Sequence, residues 1–276
     1  MVERNLFGMK KSEKTLLFIG TIVAIAFILI GIPKIGELLE PIIGFNIKMV
    51  LYIVILLAMY LVGRKRGNQY KKIDKQLDDL NRDLINNHRI DYYIIQNKRL
   101  YKEVDNKTYR TMFLINIATA YYHDGQYEKS NGVIEKIEDE YINEGQMAAM
   151  YNQRFLNYVH LGQLDQAEAV YKEHQELFKK YEEDKKLKNH YVISKLTFAL
   201  AKDKTDEAKV AKIREAFDEI SIPQKSYEKA YSYRLLEGKL LLAEGKRQEG
   251  REGLRNLSEA FIMPGMKKEI EQILSY

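Results

Sequence analysis

Cysteine is absent from this chain of 276 residues, and only four of its residues are proline. The absence of cysteine excludes a disulfide bond, a thiolate metal site and a cysteine nucleophile. The scarcity of proline leaves few helix breakers, and apolar residues recur at helical spacing along nearly the whole chain. The sequence therefore predicts an all-α protein.

Motifs that carry enzymatic chemistry are also missing. The sequence contains neither of the glycine-rich phosphate-binding patterns GxxxxGK[ST] and GxGxxG, and it contains no HExxH, GxSxG or EF-hand loop. We therefore expect no catalytic activity, no cofactor and no bound metal.

Two of the five histidines, His123 and His160, each precede a glycine by two residues. If neighbouring helix pairs brought them together they could provide two metal ligands, but only Asp124 is a close acidic residue. A partly charged imidazole also interacts favourably with the carboxyl end of a helix. The sequence favours this capping role.

Positive charge is concentrated in the first part of the chain. The net charge is +5, and 13 basic and seven acidic residues fall between residues 64 and 110. Six basic and four acidic residues precede them, so the rest of the chain carries a net charge of about −3. Phosphate binding requires positive charge on the contacting domain, and we therefore expect no nucleic-acid partner.

Residues Leu16–Ile32 are apolar apart from Thr21, and a basic segment, 1–14, precedes them. About 20 such residues form a helix that spans a bilayer. A cleaved signal peptide has a similar pattern, but no clean cleavage site follows, because the segment continues into Pro33 and Lys34. The pattern favours a membrane span.

A second apolar segment, Phe45–Val62, follows a short connector, Pro33–Asn46. Lys48 lies near its outer end, where its side chain can reach the headgroups, and Tyr52 and Tyr60 lie toward its two ends, as interfacial aromatic residues do. A lysine within a span can also mark a transport path, but neither span contains an acidic partner. We predict two transmembrane helices joined by a short outside loop.

Basic residues directly follow the second predicted span, and positively charged flanks of a span stay in the cytoplasm. Both chain ends are therefore predicted to lie in the cytoplasm, at a cytoplasmic (plasma) membrane such as that of a bacterium. Besides stopping transfer, these residues could contact anionic lipid headgroups, at about 1 kcal/mol each. The predicted membrane-surface residues are Arg64, Lys65, Arg66, Lys71 and Lys72.

A helix is predicted next, over about 68–86. One of its faces carries the apolar residues Ile73, Leu77, Leu80 and Leu84. Their spacing is that of a coiled coil, but it lasts barely two heptads, fewer than a stable coiled coil needs. The stripe could join two copies in a weak homo-oligomer or pack on a neighbouring helix. Asp91 is expected to cap a further helix that ends near Leu100.

Residues 114–137 contain two short amphipathic segments separated by Gly125. Small residues, Ala118 and Ser130, lie where the two segments would cross, and glycine adopts the left-handed conformation that ends a helix. Similar segments surround Gly162 and Gly245. A fourth copy lacks the glycine and turns at 203–205, with Asp206 near the next helix start.

These copies resemble the tetratricopeptide repeat, a helix-turn-helix of about 34 residues. The resemblance covers about 110–257 and implies an α-solenoid of helix pairs. Phe155 replaces the small residue of the second copy, which predicts a wider separation of its helices, and the 37 residues from Gly125 to Gly162 predict longer helices than the family standard. The family usually has alanine where Ser130 stands, and its proline at the repeat end is missing.

The predicted organisation has five parts. Pro264 is expected to begin a final helix, Gly265–Leu274, because the end of a repeat array must be covered. The predicted parts are a basic N-terminus (1–14), two spans (15–63), a juxtamembrane and a leading helix (64–106), repeats (107–258, divided into 107–140, 147–181, 187–219 and 226–258) and a capping helix (259–276).

The resemblance implies a membrane-anchored adaptor whose repeat groove faces the cytoplasm and holds an extended peptide or a helix of another protein. Asn116 stands where the family often has an asparagine that binds a peptide backbone. The implied groove residues are Ile115, Asn116, Thr119, Tyr122, Asn152, Gln153, Leu156 and Val159. The alternative is an accessory subunit of a membrane transport or secretion complex, in which the spans make the specific contacts.

Overall fold

The structure, a computed structural model, describes residues 30, 34, 47–184, 187–222, 224–227 and 230–275. No strand occurs among these residues, so the predicted all-α class is confirmed for them. The helices are α1 (Ile47–Asn87), α2 (Ile90–Glu103), α3 (Lys107–His123), α4 (Tyr127–Ile134), α5 (Glu144–His160), α6 (Leu164–Glu173), α7 (Gln175–Glu182), α8 (Lys188–Asp203), α9 (Glu207–Asp218), α10 (Gln224–Tyr227), α11 (Tyr231–Ala243), α12 (Arg247–Ser258) and α13 (Pro264–Leu274), with a 3₁₀ helix at Asp139–Tyr141.

The chain divides into two compact units, Met1–Asn86 and Asn87–Tyr276. The first contains α1, a continuous helix of 41 residues that begins inside the second predicted span and runs through the basic stretch. Within the described residues, no helix combines the length and the apolar character that crossing a membrane requires. Nearly all of the first predicted span and of the predicted loop lies outside the described residues.

Side chains along α1 change from apolar to basic. Seven large apolar side chains near its start have more than half of their surface exposed: Ile53, Val54, Leu56, Leu57, Met59, Tyr60 and Leu61. We call residues 53–61 the apolar segment. Farther along the helix, the predicted stripe of Ile73, Leu77, Leu80 and Leu84 is buried.

Helix pairs joined by tight turns build the second unit. Three turn glycines, Gly125, Gly162 and Gly245, have φ angles of 76°, 71° and 79°, the left-handed region that glycine enters without steric cost. After each glycine, the next N–H donates to a carbonyl five residues earlier, as the Gln126 N–H does to the Tyr121 carbonyl at 2.8 Å. This is the Schellman helix end, at the three glycines where the sequence predicts a helix to stop.

The fourth pair, α8 and α9, turns without glycine. Helix α8 ends at Asp203, and the Asp206 side chain caps α9 by accepting a hydrogen bond from the Lys209 N–H at 3.2 Å. This agrees with the predicted turn at 203–205. A side-chain cap satisfies one of the unpaired amides at a helix start, which provides a local stop signal where the glycine is missing.

The small or large residue at the helix crossing differs among the pairs. In α3–α4, the buried Ser130 hydroxyl donates to the Ala118 carbonyl at 2.9 Å. In α11–α12, a Cβ on Gly238 would lie 2.7 Å from Leu254. In α5–α6, Phe155 is 2 % exposed and its ring packs 5.9 Å from that of Tyr171, so an aromatic core replaces the close backbone contact.

Two local features differ from the sequence predictions. Helices α4 and α6 are only eight and ten residues long, because part of the extra length between turns lies in the 3₁₀ helix and in α7 instead of in longer repeat helices. Asp91 is not the cap of α2, because that helix already begins at Ile90. Asp91 lies in its first turn, where a carboxylate still interacts favourably with the helix dipole.

Helix α13 covers the end of the array. Pro264 is its first residue, the position that proline favours because no helical N–H is lost there. Ile270 is fully buried and packs in one cluster with Leu254 and Leu257 of α12. The start of α13 also meets the first turn of the array, since a Cβ on Gly265 would lie 2.5 Å from the backbone nitrogen of Gly125. The array of helix pairs therefore closes on itself.

Candidate functional site

A pocket of about 350 Å³ lies where the closing helix meets the carboxyl ends of α3 and α5. Its walls come from three of the helix pairs and from α13, which are far apart in the sequence. The lining residues are Gly125, Tyr127, His160, Lys239, Gly265, Lys268, Glu269, Gln272 and Ile273. A volume of this size lies within the range of ligand pockets.

Glu269 is a largely buried carboxylate in the pocket wall, and it contacts two charged or polar side chains. Its carboxylate forms an ion pair with Lys239 of α11, and one oxygen lies 3.5 Å from Nδ1 of His160 at the end of α5. Burial acts to raise the pKa of Glu269, but Lys239 and His160 outweigh it and hold the pKa well below its usual range. The group is therefore an ionised carboxylate shared by three helices.

Aromatic rings surround the imidazole of His160. The Tyr127 ring stacks on it with centroids 4.5 Å apart, and the Tyr122 hydroxyl lies 3.4 Å from Nε2. Burial and the negative charge of Glu269 raise the pKa of both tyrosines. A tyrosine hydroxyl that donates to Nε2 requires the ring proton to lie on Nδ1, the atom that faces Glu269.

The boundary between the two ends of the array, which we call the seam, consists of a backbone contact and polar groups. Gly125 and Gly265 touch through their backbones, and the Lys268 ammonium donates to the Asp124 carbonyl at 3.1 Å. Nearby, the rings of His88 and Phe261 stack with centroids 3.8 Å apart. The seam therefore combines backbone, ionic and aromatic contacts.

His123 and His160 lie in the last turns of α3 and α5, the helix-end positions that the sequence favours over a metal site. Across the described residues, no group of three or more histidine, aspartate or glutamate side chains has the arrangement that holds a metal ion. Burial, reinforced by the nearby His88, lowers the pKa of His123 to about 4. His123 is therefore neutral at neutral pH, and His160 contacts Glu269 instead of His123.

The predicted groove residues of the first copy are partly exposed. The Asn116 amide donates to the Asn97 side chain at 3.0 Å, and the Thr119 hydroxyl donates to the Gln153 side chain at 2.9 Å. Tyr122 faces His160, as described above, and Ile115 is half-buried. These side chains therefore join neighbouring helices.

The second copy contributes little open surface. Asn152, Leu156 and Val159 are buried, with 3 %, 8 % and 7 % of their surface exposed. The Asn152 amide donates to the Ser194 hydroxyl of the next repeat at 3.2 Å. Gln153 remains half-buried, and it belongs to the network with Thr119.

The predicted membrane-surface residues lie on α1. Arg64, Lys65, Lys71 and Lys72 are exposed, and the side chains of Arg66 and Lys48 lie outside the described residues. The four exposed residues directly follow the apolar segment along the same helix.

Sequence reasoning did not find Lys239, Lys268 or Glu269 as site residues. Each is a charged residue on a predicted helix, a pattern that also describes ordinary solvated surface. Their meeting depends on how far the array curves before α13 returns to the first turn, and no short motif encodes that curvature. The nearest sequence signal is Gly265, because glycine in the first turn of a helix lowers its stability.

Comparisons with known proteins complete the description of the site. The sequence matches no protein-family model, and comparisons with curated proteins and with solved structures likewise find no match.

Proposed function

We propose that this protein is a membrane-anchored interaction adaptor of the tetratricopeptide-repeat type, without catalytic activity, that presents its helical array to the cytoplasm. The observation that carries the proposal is the repeated helix pair with the same left-handed glycine turn. An array of such pairs creates a continuous inner surface that suits an extended peptide or a helix. The pocket beside α13 offers both polar and aromatic groups to such a partner.

The membrane part of the proposal is supported by the sequence of side chains on α1. The apolar segment exposes large side chains on all sides of a helix, an arrangement that is unfavourable in water and suits lipid. Exposed basic residues follow it directly, as they follow the cytoplasmic end of a membrane span. We therefore propose that α1 begins in the bilayer and that its basic stretch lies at the inner surface.

Site-specific photocrosslinking tests the partner surface. A photoreactive amino acid at Gln272, an exposed residue at the pocket mouth, should capture a protein in cells, which mass spectrometry would identify. The matched control carries the same group at Glu252, which is exposed on α12 away from the pocket lining. The adaptor proposal predicts a crosslink at Gln272 that is absent at Glu252.

The opposite outcome would favour an accessory subunit of a membrane complex. If neither position captured a protein, while replacement of the two predicted spans by unrelated spans abolished function in the cell, the specific contacts would lie in the membrane. If function survived this replacement, the spans would act only as a membrane anchor.

Cysteine labelling tests the orientation, since the native chain contains no cysteine. We expect a membrane-impermeant maleimide to label Lys34→Cys in intact cells. Labelling of Glu252→Cys should require permeabilisation. Labelling of both, or of neither, in intact cells would contradict the proposed topology.

A further inference from the structure

The two sides of α13 differ in what holds them. Toward α12, the helix buries Ile270 completely among leucines, and the Arg251 guanidinium donates to the Leu274 carbonyl at 2.5 Å. Toward the first turn, it offers the Gly265 backbone and the exposed Lys268 side chain. Apolar burial contributes more than a polar contact at the surface, so α13 is held more strongly by α12 than by the first turn.

Closure of this kind is not needed to stabilise a repeat array, because each repeat gains its stability from its neighbours. The surroundings of the turn glycines differ between the first turn and the two later turns. A Cβ on Gly162 or Gly245 would meet nothing within 4 Å, whereas one on Gly125 would lie 3.2 Å from the Gly265 Cα. Within the part of the chain that the structure describes, the first of these three turns is covered by another segment and the other two are not.

Gly265 carries the strongest sequence evidence for closure. It lies in the first turn of α13, and its φ is not among the left-handed angles that require glycine. Alanine would favour the helix there, but its Cβ would lie 2.5 Å from the nitrogen and 2.9 Å from the Cα of Gly125. The absence of a side chain at this position therefore permits the close contact with Gly125, although it does not stabilise the helix.

The seam also contains space and charge that a permanently packed interface would not need. The pocket of about 350 Å³ borders it, and Glu269 connects across the seam to His160 while it remains paired with Lys239 on its own side. An opened seam would keep the ion pair and lose only the His160 contact. Both charges would therefore stay paired in either state, which keeps the cost of opening low.

We propose that α13 is a latch: it closes the array against the Asp124–Gly125 turn, and opening of this seam admits a partner to the pocket. That the ligand is a protein rests on the proposed function. The opening of the seam does not depend on the proposed function. The moving parts are α11 to α13 on one side and α3 to α4 on the other.

Spin labels on introduced cysteines measure the opening in the full-length chain. One pair, Glu128→Cys with Lys267→Cys, bridges the seam, and a second, Glu252→Cys with Lys267→Cys, lies on one side of it; all three native residues are exposed. Gly265→Ala should shift the first distance to longer values and leave the second unchanged. Gly253→Ala, where a Cβ meets nothing within 4 Å, is the matched control and should change neither.

Other outcomes overturn the latch. An unchanged first distance in Gly265→Ala, with native circular dichroism, would show that the contact does not hold the array closed. A change in both distances would show that α13 leaves the last repeat as a unit and is a simple end cap. If Gly265→Ala does not fold, Lys268→Glu provides the same test, since it places an anion against the Asp124 carbonyl.

A crosslink separates the latch from the proposed function. A short bis-maleimide that joins Glu128→Cys to Lys267→Cys should abolish photocrosslinking from Gln272, and Gly265→Ala should increase it. Opening without any capture at Gln272 would support the latch and contradict the adaptor. Equal capture by the joined and the free protein would contradict control of access by α13.

Discussion

Nδ1 of His160 lies 3.5 Å from a carboxylate oxygen of Glu269, and this contact links the end of the second repeat to the helix that closes the array. The carboxylate is 18 % exposed and its other partner is Lys239, which is 22 % exposed. Three elements that are remote in the sequence thus share one ionised group. The Glu269 carboxylate therefore contributes to the stability of the fold, whether or not a partner occupies the pocket.

We predict that Lys239→Ala lowers the free energy of unfolding by about 3 kcal/mol, because it leaves a largely buried carboxylate without its main partner. The double variant Lys239→Met, Glu269→Leu should regain most of this loss, since apolar groups of similar size replace the ion pair. Urea unfolding of the full-length chain by circular dichroism measures both. A double variant less stable than Lys239→Ala would contradict the argument.

Two glycines of α12 should respond oppositely to alanine. A Cβ on Gly250 would lie 3.0 Å from the Gly238 carbonyl and 2.9 Å from Leu242, whereas one on Gly253 would meet nothing within 4 Å. We expect Gly250→Ala to cost about 1–3 kcal/mol by overpacking. Gly253→Ala should stabilise the helix by about 0.5–1 kcal/mol. Thermal unfolding that shows the same sign for both would exclude this packing explanation.

Ser130 gives a prediction that opposes the family pattern, in which alanine occupies its position. Its hydroxyl accepts hydrogen bonds from Gln153 at 2.9 Å and from Asn157 at 3.0 Å. Ser130→Ala would remove one acceptor from the half-buried Gln153 amide and one from the buried Asn157 amide, which still donates to Asn131 Oδ1 at 2.8 Å, at a cost of about 1–2 kcal/mol. In a double-mutant cycle, Gln153→Ala should cost less in the Ser130→Ala background than in the native chain; additive costs would rule out the network.

His123 should make the protein sensitive to acid. Its pKa is lowered to about 4 by burial and by the nearby His88, against a value near 6.5 in the unfolded chain. Between these values the unfolded state binds the additional proton, so the free energy of unfolding falls as the pH falls from about 6.5 to 4. The loss amounts to at most about 3 kcal/mol, from about 1.36 kcal/mol per pH unit.

His123→Gln removes this titration and isolates its contribution. Its unfolding free energy should depend less on pH over that window than that of the native protein, although His88, His174 and His190, whose pKa values are also lowered, still titrate. Denaturant unfolding at a series of pH values provides the comparison. Identical pH profiles for the two proteins would show that His123 is not buried as a neutral imidazole.

The sequence alone predicted the all-α class and several of the helix ends. The three turn glycines, the Asp206 start signal and Pro264 act over a few residues, because a left-handed φ, a side-chain cap and a missing N–H are properties of the local backbone. The small residues at the crossings were also recognisable, although the reason for serine at position 130 appeared only with the amides that bond to it.

Tertiary structure alone decided which of these surfaces remain open. The resemblance assigns Asn152, Leu156 and Val159 to the groove, yet neighbouring helices bury them, because a match to a repeat position does not determine what covers that residue. The meeting of Gly125 with Gly265, and of His160 with Glu269, depends on small rotations summed over successive helix pairs. Such a sum is set by the packing of every crossing, so no single stretch of sequence encodes the closed array or its pocket.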